Sequence, residues 1–227
     1  MRRSETVVIH QPNLLPRLRV FCKIAQSTTW VVLDNVQYVR REWQNRTSLR
    51  FSRCPWRTYW LTAPVQYAPQ STHISDILLH DHGAFRSKVN AALTHSYGSS
   101  PHYEWLCAFV DNWLSMDYKS LLDLSEASTT VALEMLEISP RVIRASTMGV
   151  LENERSTRLL ALSTSCAATT YLCGRGGRRY LNQEIFIQAG IGVTYQEMPD
   201  NLIHFADYSF LDYVAHHGPE ALKQLHQ

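Results

Sequence analysis

Short β-branched runs and longer amphipathic stretches alternate at both ends of the chain, and that alternation predicts the architecture. Apolar residues at 6–9 and 30–34 form brief β-like runs, with a helical spacing over 15–26 between them. A β-rich pair follows at 47–52 and 58–64, the second carrying the extended aromatic run Tyr59-Trp60-Leu61. The pattern then turns helical over 85–97, 103–116 and 120–136, and resumes its alternation with strands at 142–145, 170–173 and 193–197 and helices at 156–167 and 178–189. Strands alternating with helices predict an α/β fold with a mostly parallel sheet flanked by helices. The helical middle, about 83–138, reads as an insertion or cap within one domain spanning 1–227. Ser156 is placed to cap the helix that follows it, Gly190 to close the last predicted helix in a left-handed turn, and Pro101 and Pro140 to punctuate the helical middle.

The first two strands stop abruptly in polar residues. In an open parallel sheet, ligands bind outside the carboxyl ends of the strands, so these stops are candidate chemistry. His10, followed by Gln11 and Asn13, is an imidazole at a strand end, suited to act as general acid or base near neutral pH. Asp34 ends the second strand in the same way; a carboxylate there can orient His10, hold a substrate amine, or only cap the turn. Gln37 and Tyr38 add neutral hydrogen-bonding groups. The run 40–46 (Arg-Arg-Glu-Trp-Gln-Asn-Arg) is the most polar of the segment. If it is extended, alternation sets Arg41, Trp43 and Asn45 on one side and Glu42, Gln44 and Arg46 on the other, giving a surface for stacking and anion binding. A second cluster, Gly174-Arg175-Gly176-Gly177-Arg178, follows the strand at 170–173; its glycines permit close backbone approach and Arg178 stands ready for an anion, or the run is a glycine turn with solvated arginines. It matches neither the dinucleotide nor the P-loop fingerprint.

The net charge of +2 conceals a strong asymmetry. Residues 1–70 carry eleven Lys/Arg against three Asp/Glu, whereas 71–140 carry three against nine. A basic first third made mostly of Arg suits a small anionic or amino-acid-derived substrate, free or carrier-bound, better than a membrane surface. No recognised nucleic-acid-binding motif accompanies the arginines, so nucleic acid is not the expected partner. Five scattered cysteines without a Cys-x-x-Cys pair point to a reducing compartment and no structural zinc. His80-Asp81-His82 lacks a third ligand placed by the sequence, so neither a metal nor another cofactor is expected. Cys173 reads as core filling more readily than as a nucleophile. With no apolar stretch long enough for a signal peptide or a membrane span, the expected location is the cytoplasm.

The quoted residues resemble the WbqC-like protein family. Its amino-terminal signature, I-x-Q-P-x-Y-L-P-W-x-G-Y-F-x-K-I-A, is met here by Ile9, Gln11, Pro12, Leu15, Pro16, Phe21 and Lys23-Ile24-Ala25. Its later blocks are met by Asp34, Val36-Gln37-Tyr38, Trp43-Gln44-Asn45-Arg46 and Trp60-Leu61-Thr62-Ala63-Pro64-Val65. Leu14, Arg17, Arg19 and Val20 stand where the pattern has Tyr, Trp, Gly and Tyr, a departure that points to a different substrate if those aromatics line the family's pocket. The resemblance implies an enzyme of O-antigen, other polysaccharide or secondary-metabolite biosynthesis, with transfer of an acyl or aminoacyl group as the first expectation. A cyclase, dehydratase or hydrolase of an amino-acid-derived or carrier-bound intermediate, and a non-catalytic metabolite-binding protein, are the alternatives. Fold alone does not choose among them.

Overall fold

Within β1 (Thr6–His10), Val7 and Ile9 face one side of the sheet and Val8 the other, and each side meets its own apolar layer. The computed structural model describes residues 4–51 and 54–225, with the side chains of 54–56 and 82 outside the description. In chain order the elements are β1, α1 (Leu18–Ala25), β2 (Thr29–Val32), β3 (Arg46–Phe51), β4 (Cys54–Thr62), α2 (His82–Tyr97), α3 (Tyr103–Trp113), α4 (Leu121–Met135), β5 (Arg141–Arg144), α5 (Arg155–Ser165), β6 (Thr170–Cys173), α6 (Gln183–Gln188), β7 (Gly192–Tyr195), α7 (Phe210–His217) and α8 (Pro219–Gln224). The main sheet is parallel, in the order β5-β2-β1-β6-β7. β3 and β4 form a separate antiparallel pair. This is the predicted α/β fold, with helices in the middle of the chain.

The two faces are covered unequally. Val8, Trp30, Val32 and Leu172 pack with α1, α7 and the helical middle in a large core that also takes in the inner face of the hairpin, Leu49 and Leu61. Val7, Ile9, Val31 and Tyr171 pack against α5 and α6 through Leu159, Leu162 and Phe186. Burying each such Val or Leu contributes on the order of 1.5–3 kcal/mol, and a strand apolar on both faces is what a helix-covered parallel sheet requires. His10 has the parity of Val8 and therefore lies on the α1 side of the sheet.

Several boundaries differ from the sequence expectations, each for a local reason. The first helix begins at Leu18, not at 15, because Leu15 precedes Pro16 and adopts φ 45°. Its amide is satisfied by the Ser128 hydroxyl on α4 instead of by a helical carbonyl. The helix at 156–167 is capped by Glu154, whose carboxylate accepts from the Thr157 amide; Ser156 instead accepts from the Asn182 amide. The helix expected over 178–189 divides into a 3-10 turn over Arg175–Arg179 and α6, which Asn182 caps by accepting from the Glu184 amide. Gly190, at φ 74°, does close α6. Residue 52, the end of the strand expected at 47–52, lies outside the described residues.

Candidate functional site

Along the sheet the chain steps outward from β1 to β2 to β5, then returns across β1 to place β6 and β7 on its other side. The strand order therefore reverses between β1 and β6, and the rim outside their carboxyl ends is where such a sheet leaves a crevice. A hollow of about 370 Å³ opens there. His10 comes to it from the end of β1, Cys173 and Gly174 from the end of β6, Arg17, Arg19 and Lys23 from the start and inner face of α1, and Arg175 from the turn after β6. A larger concavity of about 1080 Å³ lies at the opposite rim, lined by backbone turns and by Glu5, Thr28, Glu137 and Arg141. It lies at the amino ends of the strands and lacks convergent catalytic side chains, so the smaller hollow is the candidate site.

His10 is partly buried, with its Nδ1 2.8 Å from the Gln11 carbonyl oxygen. A carbonyl only accepts, so Nδ1 carries the proton and Nε2 is left with the basic lone pair. Burial, and after it the nearby Lys23 and Arg17 charges, hold the imidazole well below its ordinary pKa of 6.5, against the opposing effect of the Gln11 carbonyl. Lys23 is 4% exposed, and burial brings its amine down to about 8. Burial also lowers the Arg17 guanidinium, whose Nε has no hydrogen-bond partner among the described residues. Cys173 is buried, which pushes its thiol up in spite of the Tyr171 hydroxyl and Lys23, and this favours the thiol over the thiolate.

Arg17 joins the hollow to the polar segment beyond it. Its guanidinium lies 4.7 Å from the centroid of the Trp43 ring, Trp43 lies 5.2 Å from Trp60, and Arg46 lies 4.1 Å over Trp60, so two cations and two indoles form one stacked row. Gln44 ties the same segment to β1: its amide nitrogen donates to Gln11 Oε1 at 2.9 Å, and its own oxygen accepts from the Val39 amide at 2.8 Å. Asn13 and Asn45 are buried, each with an Oδ1 that has no hydrogen-bond partner among the described residues. Residues 40–45 form a turn, not a strand, with Arg41 at φ 63°, so the expected alternation of Arg41, Trp43 and Asn45 does not apply.

Other predicted groups stand apart from the hollow. Asp34 is buried, and its two oxygens accept from the Ser146 amide at 2.9 Å and the Ser146 hydroxyl at 2.6 Å. It lies past the end of β2 and bonds to the segment following β5, away from the β1/β6 reversal. The carboxylate expected to orient His10 thus locks two loops together, and the imidazole takes its orientation from Gln11. Gln37 donates to the Gln70 carbonyl, and with Tyr38 it lines a separate recess of about 420 Å³. Arg178 is 56% exposed and pairs with Glu197 at 3.1 Å, leaving Arg175 to face the hollow. At 80–82, Asp81 caps α2 by accepting from the Ala84 amide, and among the described residues no group of three or more His, Cys, Asp or Glu is placed to hold a metal ion.

The glycine turn is fixed by close approach. A Cβ at Gly177 would fall on Cys173 Sγ, inside any permitted contact distance. Gly177→Ala is expected to destabilise the protein by about 1–3 kcal/mol through overpacking. Cys173→Ala in the same chain should restore most of that loss in chemical denaturation, whereas a loss unchanged in the double variant would contradict the contact.

The protein is an α/β protein with an open parallel sheet and a cationic crevice, the candidate site, at its strand-order reversal. The pattern of the WbqC-like protein family matches residues 11–224, and the chain belongs to that family. It is 26% identical, over 83% of its length and 80% of the relative's, to uncharacterized protein Rv1507c of Mycobacterium tuberculosis. No solved structure matches the chain significantly. No helix among the described residues is long and apolar enough to cross a membrane.

Lys23, Arg17 and Arg19 are the site residues that the sequence reading did not select. Lys23 is a charged residue set between the apolar pairs Phe21-Cys22 and Ile24-Ala25, and Arg17 and Arg19 are the departures from the family pattern. Both signals were present without a fold to give them a place.

Proposed function

We propose that the protein is an enzyme of cell-surface polysaccharide or specialised-metabolite biosynthesis that transfers an acyl or aminoacyl group onto a small substrate, with His10 as general base. The observation that carries this reading is the placement of His10: an imidazole lining the hollow at the strand-order reversal, with Nδ1 2.8 Å from the Gln11 carbonyl oxygen and burial and neighbouring cations lowering its pKa. Such a group keeps Nε2 ready to take a proton from an attacking amine or hydroxyl at neutral pH. Arg17 and Lys23 are placed to hold an anionic part of the substrate in the same hollow. Gln11 and Gln44 fix the rim on one side, and the Arg17–Trp43 stack gives a flat surface beside the hollow.

Incubation with acyl and aminoacyl donors and candidate amines, read by mass spectrometry, tests the reading. An acceptor mass raised by the transferred group, lost with His10→Gln, supports it. Loss of water from a single substrate, or a product formed equally well by His10→Gln, contradicts it.

A further inference from the structure

Among the described residues no Asp or Glu lines the hollow: its charged walls are Arg17, Arg19, Lys23 and Arg175. Arg19 is already matched, donating to Asp207 at 2.9 Å and to the Ala206 carbonyl at 3.2 Å. Lys23 has no hydrogen bond or ion pair among the described residues, although it is 4% exposed. Arg17 has a buried Nε without a hydrogen-bond partner among the described residues, and its terminal nitrogen makes a loose ion pair, 3.6 Å long, with the same Asp207. Burying Lys23 without a counter-charge is costly, and a bound anion removes that cost.

We infer that this hollow is a phosphate-binding subsite, in which Arg17, Lys23 and Arg175 hold the phosphoryl or diphosphate group of a substrate beside His10. The inference rests on the proposed active site and gives its ligand a chemical class. Lys23 and Arg175, joined by an Arg17 that shares the single carboxylate of Asp207 with Arg19, carry more positive charge than one carboxylate balances and so suit a dianion. The partners are of two kinds, planar forks from the arginines and a compact point charge from the lysine, a combination that surrounds a tetrahedral group. The backbone at the turn leaves room as well: a Cβ at Gly174 would stand 3.7 Å from Lys23 Nζ, and one at Gly176 would meet nothing within 4 Å. Arg17 occupies a position where the family pattern has Trp, so the subsite is set in part by this chain's own departure.

Calorimetric titration of the full chain with inorganic phosphate, pyrophosphate and succinate tests the inference. Saturable binding of phosphate, tighter binding of pyrophosphate and none of succinate are expected. The Kd should rise at least tenfold in Lys23→Met and in Arg175→Gln, the latter an exposed position whose replacement leaves the core untouched. Parallel titrations with acetyl phosphate and glucose 1-phosphate tell whether the phosphoryl group belongs to an acyl donor or to a sugar acceptor. Absence of saturable binding, an unchanged Kd in both variants, or succinate binding as tightly as phosphate would overturn the subsite. If these fail while turnover still depends on His10, the ligand class is lost and the general base stands; phosphate binding with turnover indifferent to His10→Gln gives the reverse.

Discussion

His10→Gln is expected to lower kcat by about 10²–10⁴-fold with KM changed only a few-fold, because the lost group acts on the proton in flight and not on the bound substrate. Glutamine keeps a polar group at the rim but offers no basic nitrogen. The pH dependence follows from the same environment. His10 titrates well below 6.5 in the fold, so the acid limb of the wild-type kcat/KM profile should lie below 6.5. Stability carries the matching sign. Below 6.5 the unfolded chain takes up a proton that the folded imidazole refuses, so folding stability falls as the pH drops from 6.5 towards the folded pKa. His10→Gln should remove that contribution and flatten the acid side of the stability curve. A variant that turns over normally, or a stability curve of unchanged slope, would contradict the assignment.

The second large effect is structural. Asp212 on α7 is fully buried and accepts two hydrogen bonds from Arg50 on β3, at 2.8 and 2.5 Å, and one from the Tyr97 hydroxyl on α2 at 3.3 Å. The Arg50 guanidinium is itself stacked between Phe205 and Tyr208, with centroid distances of 4.5 and 4.6 Å. One carboxylate therefore joins the hairpin, the helical middle and the carboxyl-terminal helices. Asp212→Ala leaves Arg50 charged and without its partner in an apolar setting, and should cost about 3–5 kcal/mol in urea unfolding. Replacing the pair together, Arg50→Met with Asp212→Leu, should recover a large part of the loss, because the penalty comes from the stranded charge. A single variant within about 0.5 kcal/mol of wild type, the range of ordinary surface substitutions, would show that the cluster does not hold these elements together.

How much was legible beforehand differs by element. The five parallel strands and the helical middle could be read from periodicity, because β-branched runs and 3.6-residue spacing report burial directly. The two carboxyl-terminal helices were missed, though Ser209 caps α7 by accepting from the Leu211 amide and Pro219 opens α8. Those signals were in the sequence; histidines and short length hid them. The site was legible in part: His10 and Gly174 reach the hollow as strand ends should, since ends of neighbouring strands are local facts about the chain. The roles of Asp34 and Arg178 were not legible, because they turn on partners far along the chain, Ser146 for the first and Glu197 for the second. Lys23 could not be chosen either, since its importance comes from the face of α1 that meets β1 and β6, a tertiary fact.

The arrangement as a whole places His10 among cations that outnumber their one carboxylate partner, Asp207. Lys23 and Arg17 lower the His10 pKa and also stand ready for an anion, so a bound phosphate would weaken their effect on the imidazole and make it a stronger base while substrate is present. Binding and proton transfer would then be linked through charge alone, without movement of the backbone.

The proposed chemistry depends on the protonation and tautomer of His10, which long-range ¹H–¹⁵N NMR of labelled protein reads directly across pH. A neutral ring with the proton on Nδ1 at pH 7 and a midpoint well below 6.5 are expected. A midpoint at or above 6.5, or a proton resident on Nε2, would contradict that chemistry.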